Sequence, residues 1–200
     1  MRSVSAQELE SWIAEGRILE QDTRGPKVVM LQNARYLKIF HTRRHPAIAR
    51  LRPAACRFQR NTIRLQHLGI SAPEVLDVFW LDAKSGVSGC IYSPLAGEPV
   101  ESINKREPER ICRLLPSLAA FIKTLHANGI YFRSLHLGNI LELGNEQFGL
   151  IDVLDMRFKH VPLGQRLVNR NFAHLSQYLA RHQVLNFPMD ALVEHYHSLD

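Results

Sequence analysis

The sequence lacks several features that would have settled its class at once. No apolar run approaches the roughly 20 residues that span a bilayer, so a transmembrane protein is not expected. No C-x-x-C or H-E-x-x-H spacing occurs, and the histidines are scattered, which argues against a zinc site. The three cysteines, Cys56, Cys90 and Cys112, lie far apart, as expected of reduced thiols in or near a core rather than a disulfide framework. There is no internal repeat and no low-complexity segment. No helix-turn-helix, RNP or zinc-finger pattern is present, so specific nucleic-acid binding is not expected. The opening stretch MRSVSAQELESWIAEG has no continuous apolar core, because Glu8, Glu10 and Glu15 interrupt it. It does not read as a secretory signal, and a cytoplasmic location is the expectation.

What the sequence does contain points to a folded domain with anionic partners. Of 200 residues, 46% are hydrophobic and 22% charged, enough apolar material for a core and too little charge for disorder. The net charge of +6 is concentrated in two places. One is Arg43, Arg44, Arg50, Arg52, Arg57, Arg60 and Arg64; the other is Arg157, Lys159, Arg166 and Arg170. Such clusters suit a nucleotide, a phosphorylated lipid head group or nucleic acid, or simply form solvated helix faces. Charge alone does not choose among these.

The order of elements follows from periodicity. Ser5 and Glu8 have capping-box spacing ahead of Leu9, Trp12 and Ile13, predicting a helix that ends near Gly16. Residues 18–21, 27–32 and 34–40 predict three antiparallel strands with tight turns between them. On the third, Tyr36, Lys38 and Phe40 share one face, and Leu37 and Ile39 the other. Residues 46–68 predict a basic helical segment broken at Pro53 and stopped by Gly69. Two more strands are predicted over 75–81 and 89–93, followed by a linker over 94–97. The composition shift near Pro94 divides the chain into 1–93, mixed and strand-rich, and 94–200, mostly helical. From Pro108 to Asn128, Ile111, Leu114, Leu115, Leu118, Phe121, Ile122 and Leu125 form the apolar stripe of a long helix, with Pro116 as a possible kink. Residues 139–143 and 147–153 predict a hairpin, and 163–185 and 188–196 predict helices. The fold class is therefore α+β.

The chemistry-bearing stretch is Phe132-Arg133-Ser134-Leu135-His136-Leu137-Gly138-Asn139, followed by Phe148-Gly149-Leu150-Ile151-Asp152. An amide and a carboxylate on adjacent strands can offer oxygens to one cation, as magnesium requires. This wording resembles the catalytic loop H-R-D-L-x-x-x-N and the D-F-G metal motif of protein-kinase-like phosphotransferases. Leu135-His136-x-Gly138-Asn139 is most similar to the small-molecule kinase branch, particularly the bacterial lipopolysaccharide core kinases and the related toluene-tolerance proteins. The resemblance runs from about Ile18 to Leu179. It implies a two-lobed fold with a five-stranded antiparallel sheet, one inserted helical segment and a small helical lobe. It implies ATP and magnesium as cofactors. Lys38 would hold phosphates, with Arg24 and Gly25 in the phosphate loop and Tyr92, Ser93 and Leu95 along the adenine strand and hinge. Asn139 and Asp152 would hold the metal, and the three side chains Lys38, Asn139 and Asp152 would meet across one cleft. His136 would brace the loop by hydrogen bonds, and Arg133 would pair with a loop carboxylate or phosphate.

Three departures from the pattern carry weight. The family's catalytic aspartate is Ser134, and a serine is no carboxylate base; Asp155 is the candidate replacement. The glutamate that pairs with the strand lysine falls at Asn61. The glycine-rich loop is reduced to Gly25. Ser134 has no G-x-S-x-G elbow, so a serine hydrolase is not expected. Two functions remain. One is slow ATP-dependent phosphoryl transfer to a sugar hydroxyl of an anionic glycolipid, at the inner face of the cytoplasmic membrane. The other is an inactive pseudokinase, a nucleotide-binding or scaffolding module with an unidentified protein partner. Asp152 closes an apolar run, where an unpaired carboxylate would be costly, and that favours a bound cation.

Overall fold

The computed structural model describes residues 1–41, 45–184 and 186–199. Arg43 and Arg44 of the first basic cluster, and Leu185 at the expected end of a helix, lie outside the described residues. The chain is α+β. Its contacts group it into two compact units: Met1–His67 with Ala72–Leu95, and Leu68–Ser71 with Ala96–Asp200.

The first unit is built on a mixed sheet, six-stranded among the described residues, instead of the five antiparallel strands expected. Its strands are β1 (Arg2–Ser3), β2 (Arg17–Asp22), β3 (Gly25–Met30), β4 (Tyr36–Phe40), β5 (Glu74–Asp82) and β6 (Val87–Ser93), in the order β1-β5-β6-β4-β3-β2. The added strand, β1, pairs parallel to β5, and two residues are too few for any periodicity to reveal it. The alternation read on β4 decides both faces. Leu37 and Ile39 join Val4, Val29 and Phe79 in a core that helix α1 (Ala6–Glu15) covers with Leu9, Trp12 and Ile13. Leu37 and Phe79 are fully buried, each worth about 1.5–3 kcal/mol. The Ser5 side chain caps α1 by accepting from the Glu8 amide at 3.1 Å. Tyr36, Lys38 and Phe40 face the other way, toward α3 (Ala54–His67). The Phe58 ring of α3 lies 5.6 Å from that of Phe40 and 5.9 Å from that of Tyr92. Ahead of α3, the short helix α2 (Pro46–Leu51) ends before Pro53.

The second unit contains β7 (Glu98–Pro99), α4 (Val100–Arg106), α5 (Pro108–Ala127), β8 (Ile130–Phe132), β9 (Ile140–Glu142), β10 (Phe148–Leu150), β11 (Met156–Phe158), α6 (Gln165–Arg181) and α7 (Met189–His197). The expected linker over 94–97 leads directly into β7 and α4. Val100 and Ile103 are the only apolar residues among the three buried on α4, too short a pattern to read as a helix. Helix α5 runs through Pro116 without interruption and buries the predicted stripe, Phe121 only partly. The parallel bridge of Ser71 with Gly149 ties Leu68–Ser71 to this unit. The thiols are split. Cys90 is buried, and desolvation pushes it up to about 12. Cys56 is half-buried, and Cys112 is exposed on α5 instead of lying near a core.

Gly89 on β6 is required by packing. A Cβ there would stand 2.7 Å from Cε2 of Phe79, which is wholly buried and has no room to retreat. Gly89→Ala is expected to cost about 1–3 kcal/mol, read as a lowered midpoint in urea unfolding at unchanged slope.

Candidate functional site

A two-stranded ladder sets the loop that follows β8. Strand β11 pairs antiparallel with it, Met156 opposite Phe132 and Phe158 opposite Ile130. One step beyond that ladder, Ser134 meets Asp155. The Ser134 hydroxyl donates to Asp155 Oδ2 at 2.7 Å, while the other oxygen, Oδ1, is buried and has no hydrogen-bond partner among the described residues. A lone serine here would be unremarkable; a serine donating to a half-satisfied carboxylate makes a proton-accepting pair.

The loop then closes through a single 3₁₀ turn over 137–139. Asn139 is only 7% exposed, and its Nδ2 donates to the Ser134 carbonyl at 3.0 Å. That bond spends the amide nitrogen, so Oδ1 is the atom Asn139 offers a cation. The Ile151 amide donates to the Asn139 carbonyl at 3.0 Å, carrying the β9–β10 pairing one step further and putting Asn139 at the same end of the hairpin as Asp152. Asp152 takes left-handed backbone angles, φ 51° and ψ 44°. Non-glycine residues adopt these at a cost of about 1 kcal/mol or more, and such positions cluster at functional sites. Its side chain is exposed. The sequence argument from a costly buried carboxylate therefore does not hold: strand β10 ends at Leu150, and the left-handed turn carries Asp152 out of the apolar run. Among the described residues no group of three or more His, Cys, Asp or Glu side chains could hold a metal. Asn139 and Asp152 still suit magnesium, which takes one or two protein oxygens and fills its shell with water and phosphate.

Two sets of side chains brace this loop, and of their members only His136 was read from the sequence. In the first, Asn171 of α6 is buried and donates through Nδ2 to the Phe132 carbonyl at 2.6 Å. That fixes its amide, so Oδ1 accepts from His126 Nε2 at 3.1 Å. His126 Nδ1 is then the acceptor for the Tyr196 hydroxyl at 2.9 Å. In the second, Tyr178 of α6 stacks between His136, at 4.0 Å, and His182, at 4.1 Å. Its hydroxyl donates to Glu101 of α4 at 2.7 Å. Burial and the Glu101 carboxylate push Tyr178 up to about 12. His136 Nδ1 is buried with no hydrogen-bond partner among the described residues; the His136 carbonyl accepts from the Asn139 amide at 2.9 Å, and the ring adds the stack on Tyr178. Burial holds His136 below the usual imidazole range, against the pull of Glu101, Asp152 and Asp155. Arg133 is exposed and makes no ion pair among the described residues. A signal for Asn171 existed: it is a polar residue within the apolar stripe of α6, between Val168 and Leu175. Nothing in the sequence joins Glu101 to Tyr178, which lie 77 positions apart.

The remaining candidates belong to the first unit. Lys38 is half-buried, its Nζ 5.8 Å above the Phe58 ring. Asn61 is 5% exposed, one turn beyond Phe58 on the same buried face of α3. At the β2–β3 turn, Gly25 has φ 108°. The Arg24 amide there donates to Asp22 at 2.8 Å, and Lys27 pairs with Glu20 and Asp22. The Arg24 amide bond holds the Asp22 carboxyl below its usual range. Tyr92 is buried against Tyr36 and Phe58; Ser93 ends β6 opposite Glu74, and Leu95 closes the unit half-buried.

No protein-family model matches the chain, and no curated protein matches it in sequence.

Burial also lowers His126, whose usual value is 6.5. The folded protein then resists a proton that the unfolded chain accepts, so this contribution to stability is complete above about 6.5 and fades as pH falls toward the folded value. Unfolding free energy measured across that range should fall more steeply in the wild type than in His126→Gln.

Proposed function

We propose that the chain is a protein-kinase-like, two-lobed phosphotransferase. It would use ATP and magnesium to phosphorylate a sugar hydroxyl of an anionic glycolipid at the inner face of the cytoplasmic membrane. The supporting observation is the Ser134–Asp155 hydrogen bond: a carboxylate stands beside the position where the resembled catalytic loop carries its aspartate. In this reading Lys38 holds the nucleotide phosphates. Asn139 Oδ1 and the Asp152 carboxylate would hold magnesium, which neutralises phosphate charge when bound. The acceptor hydroxyl gives its proton to Ser134 Oγ while the Ser134 proton passes to Asp155 Oδ2. The acceptor oxygen bonds to the γ-phosphorus, the bond from that phosphorus to the bridging oxygen breaks, and ADP leaves.

A second reading, a nucleotide-binding pseudokinase, is favoured by the β2–β3 turn. Its Arg24 amide is already bound to Asp22, and Glu20 and Asp22 add negative charge where a phosphate loop would be expected. Both readings require magnesium-dependent thermal stabilisation by ATP that Asp152→Ala abolishes. Only the first requires turnover. ATP hydrolysis or transfer should then drop roughly 10²–10⁴-fold in Asp155→Asn and in Ser134→Ala, with stabilisation by ATP retained. Stabilisation without turnover in the wild type would select the pseudokinase, and no stabilisation at all would reject both.

A further inference from the structure

The chain carries no aspartate or glutamate between Thr23 and Pro73, although arginine recurs throughout that stretch. Within it lies the most exposed large apolar side chain among the described residues. Leu51, at the end of α2, is 83% exposed, and Ile48, one turn earlier on the same side, is 51% exposed. The opposite side of α2 is anchored by Ala49, which is buried. Arg50 and Arg52 flank Leu51, and both are exposed. Ala47, Arg50 and Leu51 line a shallow groove together with Trp80 and Ala83 from the β5 end. Arg60 and Arg64 continue the positive charge along the exposed side of α3, with Ile63 between them, itself exposed. The nearest acid to the groove in sequence is Asp82, and its carboxylate is held by the Lys84 and Ser85 amides at 2.8 and 3.2 Å.

We infer that α2 and the adjoining face of α3 dock this protein on an anionic lipid bilayer, with Leu51 and Ile48 entering the head-group region and Arg50 and Arg52 meeting lipid phosphates. Leucine standing proud of a protein surface between two arginines has no favourable place in water, and it matches an interface that is apolar a few ångströms below a negative plane. A nucleic acid would use the arginines and leave the leucine unused. The inference rests on this surface alone and stands apart from any phosphoryl transfer.

Co-sedimentation with vesicles tests it. The protein should bind vesicles of phosphatidylcholine mixed with phosphatidylglycerol, and bind pure phosphatidylcholine at least about tenfold more weakly, as the loss of the negative surface dictates. Rising salt should release it, and inorganic phosphate at matched ionic strength should not add to that release. Leu51→Ser should weaken binding about tenfold, and Arg50→Glu with Arg52→Glu at least as much. Both sets of changes are at exposed positions, and unchanged circular dichroism confirms the fold. Failure to bind mixed vesicles, equal binding to neutral ones, or binding indifferent to Leu51→Ser overturns the proposal. Displacement from vesicles by duplex DNA that Leu51→Ser binds equally well would reassign the surface to nucleic acid.

Discussion

The ladder between β8 and β11 is the constraint on which the candidate site depends. It is three residue pairs long, and its register puts Ser134 next to Asp155. Among the described residues the bond between them is the one side-chain hydrogen bond that Asp155 has, and its second oxygen is buried without a partner there. Removing the Ser134 hydroxyl would take from that half-buried carboxylate its hydrogen-bond donor, at a cost of up to about 1–3 kcal/mol. An aspartate at position 134 would set two carboxylates against each other, and one would have to hold a proton. Serine at 134 and aspartate at 155 are therefore matched to one another, which makes the serine more than a missing acid.

The rest of the second unit holds that register in place. The Phe132 carbonyl, two residues before Ser134, is tied through Asn171 and His126 to Tyr196 on α7. Burial favours the neutral His126, whose Nε2 donates to Asn171 and whose Nδ1 accepts from Tyr196. On the other side of the loop the His136 ring is clamped against Tyr178, which Glu101 holds by its hydroxyl. Four helices, α4, α5, α6 and α7, thus reach one short loop through buried and half-buried polar groups. Their partners must be present or each buried group becomes a penalty.

The first unit was largely legible because its signals are local. Ser5 caps the helix it was expected to cap. The period-two pattern of β4 sorts its side chains correctly between two packed faces. Strand β1 and helix α4 were missed because two and seven residues carry no usable period. In the second unit, Ser134, Asn139 and Asp155 were marked by wording, yet their hydrogen bonds depend on a ladder between short strands of three residues each. Burial at Asp152 was misjudged because apolar neighbours do not reveal a left-handed turn. His136 was expected to brace the loop by hydrogen bonds; its carbonyl does so, and its ring adds a stack on Tyr178. Tyr178 lies 42 positions on in sequence, and no local pattern identifies it.

The role proposed for the Asn139–Asp152 end of the hairpin is to receive a metal-bound nucleotide. Paramagnetic broadening reads that role residue by residue. Manganese would be titrated into isotope-labelled protein with ATP present, and the amide signals followed by NMR. Ser134, Asn139 and Asp152 should broaden first, and Asp152→Ala should remove the effect. Broadening centred on other residues, or none at a concentration where manganese–ATP is in excess, would contradict it.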